Sequence, residues 1–268
     1  MSKTANTTPG TALITGASSG IGAVYADRLA RRGHDLILVA RNQERLDAVA
    51  KRIREQTGRS VKTVSADLAD AKGVAQVADI LRRDESIDTL VNNAGFGSIS
   101  QLLESDVARM EEMIAVNVTA LTRLTYAAAP AFVKRQHGTI VNISSIVAIA
   151  PEILNGVYGA TKGYVLNLTH SLQHELSTKG VRVQAVLPGA TATEFWHSAG
   201  AGGVGNLPAA WVMTAENMVD ASLAGLDAGE VVTIPALQDG AAWTDWEAAR
   251  RAMSQNLSAT KPAARYLA

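Results

Sequence analysis

The hydrophobic residues of this chain fall into short, unbroken apolar runs that alternate with segments of helical period. Most of the runs lack a polar–apolar alternation, which is typical of strands covered on both faces, as in a parallel sheet. Seven runs predict strands, at Thr11–Thr15, Asp35–Val39, Val61–Ser65, Ile87–Val91, Thr139–Ile143, Val181–Leu187 and Val231–Ile234.

Between the strands, apolar residues spaced three and four positions apart predict amphipathic helices. The predicted helices are Ile21–Arg32, Gln43–Gln56, Ala71–Arg83, Ser105–Arg135, Tyr158–Thr178, Ala215–Leu226 and Thr244–Ser254. Alternation of strand and helix along the whole chain predicts a doubly wound α/β fold, with about seven parallel strands flanked by helices and right-handed crossovers. Because no linker or repeat divides the chain, we predict a single dinucleotide-binding and catalytic domain over 1–268.

One segment departs from this alternation. Residues near 189–210 are rich in glycine, have no clear period, and include Phe195 and Trp196. A structureless loop of this length in a compact domain is usually a functional lid or a disordered segment. The two aromatic residues favour a loop that covers an apolar substrate site, and a mobile surface loop is the alternative.

Composition narrows the classes of partner. The chain has 268 residues, 47% of them hydrophobic, and no formal net charge, which argues against nucleic-acid or membrane-surface partners held by charge. It has no cysteine, which excludes a disulfide and a thiolate nucleophile. Residues 1–10 lack the apolar centre of a signal peptide, and no apolar run reaches the roughly 18 residues of a membrane span. We therefore predict a cytoplasmic protein.

A glycine-rich loop follows the first predicted strand and opens the first helix. It reads Thr15-Gly16-Ala17-Ser18-Ser19-Gly20-Ile21-Gly22. Small residues let a backbone approach a pyrophosphate, and a helix N-terminus presents N–H groups to it. A tight turn is the alternative, but the position between strand and helix favours a dinucleotide site. Its predicted residues are Gly16, Ser18, Ser19, Gly20, Ile21 and Gly22.

The ends of the next strands bear on the choice of dinucleotide. An NAD site usually has an acidic residue after the second strand, but here Arg41 and Asn42 follow it and the first carboxylate is Glu44. Because arginine pairs well with a 2′-phosphate, we predict NADP rather than NAD. The alternative is a solvated arginine at a helix start.

The third and fourth strands end in further candidate cofactor residues. Asp67 and Leu68 follow the third strand, where Asp67 is placed to meet the adenine amino group or to act as the N-cap of the next helix. Asn93, Ala94 and Gly95 follow the fourth strand, and their small and amide side chains are suited to border a dinucleotide.

Tyr158 and Lys162 form the strongest candidate for acid–base chemistry. Spacing of four residues puts both on one face of a helix. An ammonium group beside a phenol favours the phenolate and would lower its pKa from about 10 towards neutral pH. His170 and His174 have the same spacing, but no third ligand is evident, so we predict two helix-surface histidines and no metal site.

Six motifs in order give the chain a family resemblance. They are T-G-x-x-x-G-x-G at Thr15–Gly22, N-N-A-G at Asn92–Gly95, Asn117, Ser145, Y-x-x-x-K at Tyr158–Lys162, and P-G-x-x-x-T at Pro188–Thr193. From about Ala12 to Ile234 the chain resembles the short-chain dehydrogenase/reductase family, in its compact single-domain branch with a Rossmann-type sheet. Ser144 is a rival for Ser145, and the 13-residue spacing to Tyr158 favours Ser145.

The resemblance implies a role for each matched residue. Tyr158 is the general acid or base, Lys162 lowers its pKa and holds the nicotinamide ribose, and Ser145 binds the substrate oxygen. Asn117 anchors a water in a proton relay. The carboxamide end of the nicotinamide lies against Pro188, Gly189, Thr191 and Thr193, and Glu152 and Asn155 suggest a polar contact in a mainly apolar pocket.

These roles imply an NADP-dependent oxidoreductase that interconverts a secondary alcohol and a ketone or aldehyde, working as a carbonyl reductase on a small-molecule substrate. A catalytically silent NADP-binding sensor or scaffold protein is the alternative. The family commonly forms homodimers or homotetramers through the helices predicted at Ser105–Arg135 and Tyr158–Thr178.

Overall fold

The structure, a computed structural model, describes residues 9–267. Its strands are β1 Thr11–Thr15, β2 Asp35–Ala40, β3 Val61–Ser65, β4 Ile87–Asn92, β5 Gly138–Ile143, β6 Val181–Val186, β7 Thr191–Ala192, β8 Met213–Thr214 and β9 Val232–Thr233. Its α-helices are α1 Gly20–Arg31, α2 Gln43–Thr57, α3 Ala71–Arg83, α4 Val107–Ile114, α5 Leu121–Arg135, α6 Gly156–Leu176, α7 Phe195–Ser198, α8 Ala215–Asp227 and α9 Gly240–Ser254.

Seven strands form one parallel sheet in the order β3-β2-β1-β4-β5-β6-β9. The predicted doubly wound sheet is thereby confirmed. The chain winds outwards from β1 to β3 and then crosses to β4 on the other side of β1. The β1/β4 boundary is therefore the point where the direction of winding reverses, and in such sheets ligands bind in the crevice at that point.

Helices cover both faces of the sheet because successive strand residues point in opposite directions. In β2, Leu36 and Leu38 belong to the core shared with α1, α2 and α8. Their neighbours Ile37 and Val39 belong to the core shared with α3, α5 and α6. This arrangement explains the unbroken apolar run of β2, since both faces of that strand are covered.

The long helix predicted at Ser105–Arg135 differs from the observed one in two ways. It begins at Val107, because the Asp106 carboxylate accepts a hydrogen bond from Ala108 N at 3.0 Å and caps α4. The residues Ala115–Ala120 between α4 and α5 form a π-helix. Single π-helical turns inside α-helices often occur at functional sites, and this one contains Asn117.

The glycine-rich segment at 189–210 has more regular structure than its sequence indicated. The short strand β7 pairs with β8 in parallel, and the single turn α7 follows it. Short 3₁₀ turns occur at Val204–Asn206 and Ala209–Trp211. The absence of a recognisable period reflects elements of two to four residues, which are too short to show one.

The chain divides into two compact units, one up to Pro235 and one from Ala236 onwards. The first contains the sheet. The second contains α9, in which the rings of Trp243 and Trp246 stack with centroids 4.8 Å apart. The single domain over 1–268 therefore stays a prediction. The prediction that the N-terminus lacks a signal peptide concerns residues 1–10, and residues 1–8 lie outside the described part of the chain. No helix in the described part has the length and apolar character needed to span a membrane.

Candidate active site

The glycine loop after β1 leaves the start of α1 accessible. Gly16 and Gly20 adopt positive φ angles of +67° and +51°, which allow the chain to reverse direction into the helix. The N-cap residue Ser19 makes no side-chain capping hydrogen bond, and the first turn of α1 has no acidic residue. Its N–H groups and the positive end of the helix dipole are therefore suited to an anion.

The loop after β4 fixes the shape of the glycine loop. Asn93 Nδ2 donates to Thr15 O at 2.9 Å and Gly16 O at 3.2 Å, while Thr15 Oγ1 accepts from Asn93 N and Ala94 N, both at 3.0 Å. A Cβ atom at Gly22 would collide with Gly16 O and Asn93 Nδ2. The missing side chain of Gly22 is therefore a requirement for closing α1 against this loop. Thr15 therefore positions the loop after β4, a role that the sequence did not predict.

The end of β2 presents one arginine to solvent. Arg41 is exposed, and its backbone oxygen accepts a hydrogen bond from Ser65 Oγ at 3.0 Å. Asn42 Oδ1 accepts from Arg45 N at 2.9 Å and caps α2. Of the two residues predicted to bind the cofactor here, Asn42 also caps α2. The exposed side chain of Arg41 is free to contact a ligand.

At the end of β3, Asp67 is exposed and Leu68 is buried in the core with Val74. The Asp67 carboxylate accepts from Ala69 N at 2.9 Å. The N-cap of α3 is Asp70, not Asp67. The interpretation of Asp67 as the helix cap is therefore wrong, and its contact with the adenine stays a prediction.

Tyr158 and Ser145 lie side by side, both at least nine-tenths buried. Ser145 Oγ donates to Pro188 O at 3.5 Å and lies near the phenol of Tyr158. Burial raises the pKa of Tyr158 to about 12, and the neighbouring hydroxyl of Ser145 opposes that rise. Ser144 Oγ instead donates to Lys162 O at 2.8 Å. The structure therefore brings Ser145, not Ser144, to the phenol.

Lys162 is buried beneath this pair with 6% of its surface exposed. Its Nζ donates to Ile143 O at 2.9 Å and lies 5.7 Å from the centroid of the Tyr158 ring. Burial lowers the pKa of Lys162 to about 8. The rise in the pKa of Tyr158 is opposite to the fall expected from the sequence, because desolvation penalises the charged forms of both groups.

Asn117 is 1% exposed and joins the loop after β4 to α6. Its Nδ2 donates to Phe96 O at 2.9 Å and to Thr161 Oγ1 at 3.1 Å, and its Oδ1 accepts from Phe96 N at 3.1 Å. Thr161 Oγ1 in turn donates to Tyr158 O at 2.8 Å. Both N–H groups of the amide are therefore used in bracing the site, and the side chain positions Tyr158 through Thr161.

Two residues expected to line the pocket have other surroundings. Asn155 Oδ1 accepts from Val157 N at 2.9 Å and Tyr158 N at 3.2 Å, and so caps α6. Its Nδ2 donates to Ser100 O at 2.6 Å. Glu152 is exposed. The amide of Asn155 is thus used at the helix start, and the polar substrate contact suggested for Glu152 and Asn155 stays a prediction.

The segment after β6 lies against both the serine loop and the glycine loop. Pro188 O accepts from Ile146 N at 3.0 Å, and Thr191 Oγ1 donates to Gly189 O at 3.2 Å. A Cβ atom at Gly20 would lie 3.1 Å from Thr193 Cγ2. The residues predicted to hold the nicotinamide end therefore border the crevice between Ser145 and the start of α1.

Phe195, rather than Trp196, faces the tyrosine. The rings of Phe195 and Tyr158 have centroids 5.7 Å apart at an angle of 44°. Trp196 Nε1 donates to Thr191 O at 3.0 Å, which holds the indole against its own segment. The sequence offered two aromatic residues in this loop and no periodicity that distinguishes them.

These residues fit a dinucleotide. At the start of α1, no side chain caps the helix and the first turn has no acidic residue, and the glycine loop cannot accept a side chain at Gly22. A Cβ atom at Gly95 would lie 2.9 Å from Asn117 Oδ1 and 3.6 Å from Lys162 Nζ. The loop after β4, which braces the glycine loop, therefore also reaches Asn117 and the buried Lys162, so the two parts of the site adjoin.

Comparison with known proteins agrees with this geometry. The model of the family described as short chain dehydrogenase matches residues 10–202. A short-chain dehydrogenase from Sphingobium yanoikuyae, solved in complex with NADPH, has 47% sequence identity and a TM-score of 0.92, with 96% of this chain and 100% of that chain covered. The bulky-bulky ketone specific alcohol dehydrogenase from Comamonas testosteroni has 43% identity and a TM-score of 0.90, with coverages of 98% and 100%.

A curated relative extends the comparison to an aldehyde reductase. Sulfoacetaldehyde reductase 2 from Chromohalobacter salexigens is 38% identical over 186 residues, which is 68% of this chain and 73% of that protein. The family match covers most of the chain and includes the glycine loop, Asn117, Ser145, Tyr158 and Lys162. The chain therefore belongs to the short-chain dehydrogenase/reductase family and is an oxidoreductase that acts on CH–OH groups.

Proposed function

We propose that this protein is an NADP-dependent carbonyl reductase that interconverts a ketone or aldehyde and the corresponding alcohol. The observation that carries the proposal is that the buried side chains of Ser145, Tyr158 and Lys162 lie together, with the loop after β4 joining them to the glycine loop at the start of α1. A hydroxyl and a phenol that converge on one point can hold and protonate a carbonyl oxygen, which is general acid catalysis.

The protonation state of the site favours reduction. Burial raises the pKa of Tyr158 to about 12, so the phenol carries its proton at neutral pH and can donate it to a carbonyl oxygen. In the oxidative direction the phenolate is required as a base, and burial opposes it. The ammonium group of Lys162, with Nζ 5.7 Å from the centroid of the Tyr158 ring, would supply a proton to restore the phenol after each turnover.

The dinucleotide NADPH, when bound, supplies the hydride. The start of α1 and the glycines at 16, 20 and 22 would hold its pyrophosphate, and Arg41 would pair with the 2′-phosphate. Asp67 would meet the adenine, Lys162 would hold the nicotinamide ribose, and Thr191 and Thr193 the carboxamide. The NADPH complex of the Sphingobium yanoikuyae protein supports this cofactor over NAD.

The walls around Tyr158 support an apolar carbonyl substrate. Val147, Leu154 and Phe195 belong to one hydrophobic cluster with Tyr158, which also includes Met110 and Met113. Apolar groups next to a carbonyl would pack against such side chains without leaving a polar group unpaired. The ketone preference in the description of the Comamonas testosteroni enzyme agrees with such walls.

We further propose a homodimer or homotetramer in the cytoplasm. The helices α4, α5 and α6 present apolar side chains to solvent, with Val107 72%, Tyr126 68% and Tyr164 38% exposed. A second copy of this chain would cover these residues, because large apolar patches on a soluble protein commonly mark an interface. Size-exclusion chromatography with light scattering measures the mass directly, and a monomer at micromolar concentration would contradict the assembly.

The proposed reaction is tested by NADPH oxidation against a panel of ketones and aldehydes. The wild-type protein should reduce at least one apolar ketone, and Tyr158→Phe should lower that rate at least about a hundredfold because it removes the proton donor. Equal rates of the two proteins on every carbonyl compound would instead favour a catalytically silent NADP-binding sensor or scaffold.

The cofactor assignment is tested separately by binding. Arg41→Ala should raise the Kd for NADPH at least about tenfold, since loss of a charge-assisted pair of about 1.4 kcal/mol has that effect, and leave the Kd for NADH unchanged. Fluorescence titration of the ligand-free protein gives both constants. Equal changes for the two dinucleotides would remove Arg41 as the partner of the 2′-phosphate.

A further inference from the structure

The aromatic ring that covers Tyr158 is the strongest unassigned feature of the molecule. We infer that Phe195 is the residue that sets the size of the carbonyl substituent accepted beside Tyr158, so that the enzyme selects ketones by the bulk of one apolar group. The inference rests on the proposed carbonyl reductase function and names the specificity residue of that same site.

Phe195 occupies the space next to the reacting groups. Its ring centroid lies 5.7 Å from that of Tyr158. A Cβ atom added at Gly97 would lie 2.6 Å from Phe195 Cζ and 3.1 Å from Tyr158 Cδ2. The two rings and the Gly97 backbone are therefore packed together, which places Phe195 beside the tyrosine that a carbonyl oxygen would approach.

The position of Phe195 is fixed from both sides of α7. On one side, Glu194 forms an ion pair with Arg45 of α2, with 2.7 Å between Oε2 and NH1. On the other side, Ala199 O accepts from Ile99 N at 3.1 Å. A ring held between two anchors can discriminate by size, because a larger substituent must displace the backbone of the segment as well as the side chain.

The other nearby side chains are less suited to this role. Asn155 is engaged in capping α6, and Glu152 is exposed. Trp196 bonds to Thr191 O and meets Phe195 edge-on, with centroids 5.4 Å apart. Phe195 is therefore the one bulky side chain of the 189–210 segment, within the described residues, that contacts the Tyr158 ring.

The size argument has an expected magnitude. A methylene group added or removed in an apolar pocket changes kcat/KM by about 10- to 200-fold. Phe195→Ala removes an entire phenyl ring, and Phe195→Leu removes its planar extension but keeps apolar bulk. The preference for a bulky ketone over a small one should therefore change by at least about tenfold in Phe195→Ala and by less in Phe195→Leu.

The experiment compares benzophenone, with two phenyl groups, and acetophenone, with one phenyl and one methyl group, as substrates with NADPH. For Phe195→Ala, the ratio of kcat/KM for benzophenone to that for acetophenone should rise at least about tenfold over wild type. Trp196→Phe is the matched control, since it changes the neighbouring aromatic that does not face Tyr158, and its ratio should stay within about twofold.

A second readout needs no turnover. Because Phe195 shields Tyr158 from water, Phe195→Ala should lower the pKa of the Tyr158 phenol in the ligand-free protein. Ultraviolet difference titration detects the phenolate, and the same titration of Tyr158→Phe and of Tyr158→Phe/Phe195→Ala identifies the signal that belongs to Tyr158. The Kd for NADPH should remain within about twofold of wild type, which separates a change in the substrate site from a general loss of structure.

The outcomes are distinguishable. If Phe195→Ala changes kcat/KM for both ketones by the same factor, the inference is overturned while the proposed function stands. If the wild-type protein reduces neither ketone nor any other carbonyl compound, the proposed function fails. In that case the titration decides whether Phe195 covers Tyr158, and an unchanged phenol pKa would overturn the inference as well.

Discussion

Replacing the buried lysine by methionine should stabilise the protein at neutral pH while abolishing its activity. Lys162 is 6% exposed, and the hydrogen bond of its Nζ goes to the neutral backbone oxygen of Ile143, not to a carboxylate. Burial lowers its pKa from 10.5 to about 8. At pH 7 the folded protein therefore carries a buried ammonium group that the unfolded chain would hold in water.

The magnitude follows from the linkage between protonation and folding. One unit of pKa corresponds to about 1.4 kcal/mol, so the charged lysine costs about 3 kcal/mol of folding free energy at pH 7. The folded pKa is the lower one, so the unfolded chain binds the extra proton. The cost is thus complete below about pH 8 and disappears as the pH rises towards 10.5. Lys162→Met also loses the bond to Ile143 O, worth about 1 kcal/mol. The net gain at pH 7 is about 2 kcal/mol.

Urea unfolding of the ligand-free protein at pH 7 and pH 10 measures this gain. The advantage of Lys162→Met over wild type should be about 2 kcal/mol at pH 7 and vanish or change sign at pH 10, with an unchanged m-value. The raised pKa of Tyr158 has the opposite pH dependence, but it is present in both proteins. Lys134→Met, at an exposed position of α5, is the control and should show no such dependence. A gain independent of pH, or no gain at pH 7, would refute the reasoning.

Three further predictions concern the frame of the site. Asn117→Ala should lower the free energy of unfolding by about 2 kcal/mol, because it leaves the N–H and C=O of the half-buried Phe96 without their partner. Gly22→Ala should raise the Kd for NADPH at least about tenfold in fluorescence titration, because its Cβ collides with the glycine loop. Glu194→Gln should speed NADPH dissociation in stopped-flow measurements by up to about fivefold, since it breaks the exposed ion pair with Arg45 that anchors the segment over the crevice.

Each of these has a matched control in the chain. Asn206→Ala removes an exposed amide and should change stability by less than about 0.5 kcal/mol. Gly163 lies in α6, and a Cβ atom added there would lie 3.9 Å from Ala148 O, its nearest neighbour. Gly163→Ala should therefore stabilise the helix by up to about 1 kcal/mol. Asp227→Asn breaks the exposed pair with Arg32 and should leave NADPH dissociation unchanged. A control variant that changes the measured quantity as much as the variant it is paired with would contradict the corresponding prediction.

The sequence predicted the sheet because the information is local. A strand with both faces covered is apolar at nearly every position, as β2 is from Leu36 to Ala40, so the run of residues is itself the signal. Element ends were less well predicted. The helix of Asn117 begins two residues later than expected, because the position of a cap such as Asp106 depends on which backbone N–H groups the fold leaves unpaired.

The active site was also predicted in part: its residues were, and their surroundings were not. Spacing along the chain was enough to select Ser145, Tyr158 and Lys162 as candidates, and the structure brings them together. Spacing gave no information on the pKa of Tyr158, because the sequence suggested a neighbouring charge but could not indicate how completely both groups leave water. Burial is a property of the packed molecule, and here its effect on the phenol is larger than that of the lysine.

The sequence by itself determined the α/β architecture, the dinucleotide crevice and the set of residues that can carry the chemistry, since each is encoded in a run or a spacing within one segment. Only the tertiary structure decided that Phe195 rather than Trp196 faces Tyr158, and that the Asn155 side chain caps α6. Such outcomes depend on contacts between segments distant in the chain. The physical reason is that the direction of a side chain in a short irregular segment is set by what it packs against, and no pattern of neighbouring residues records it.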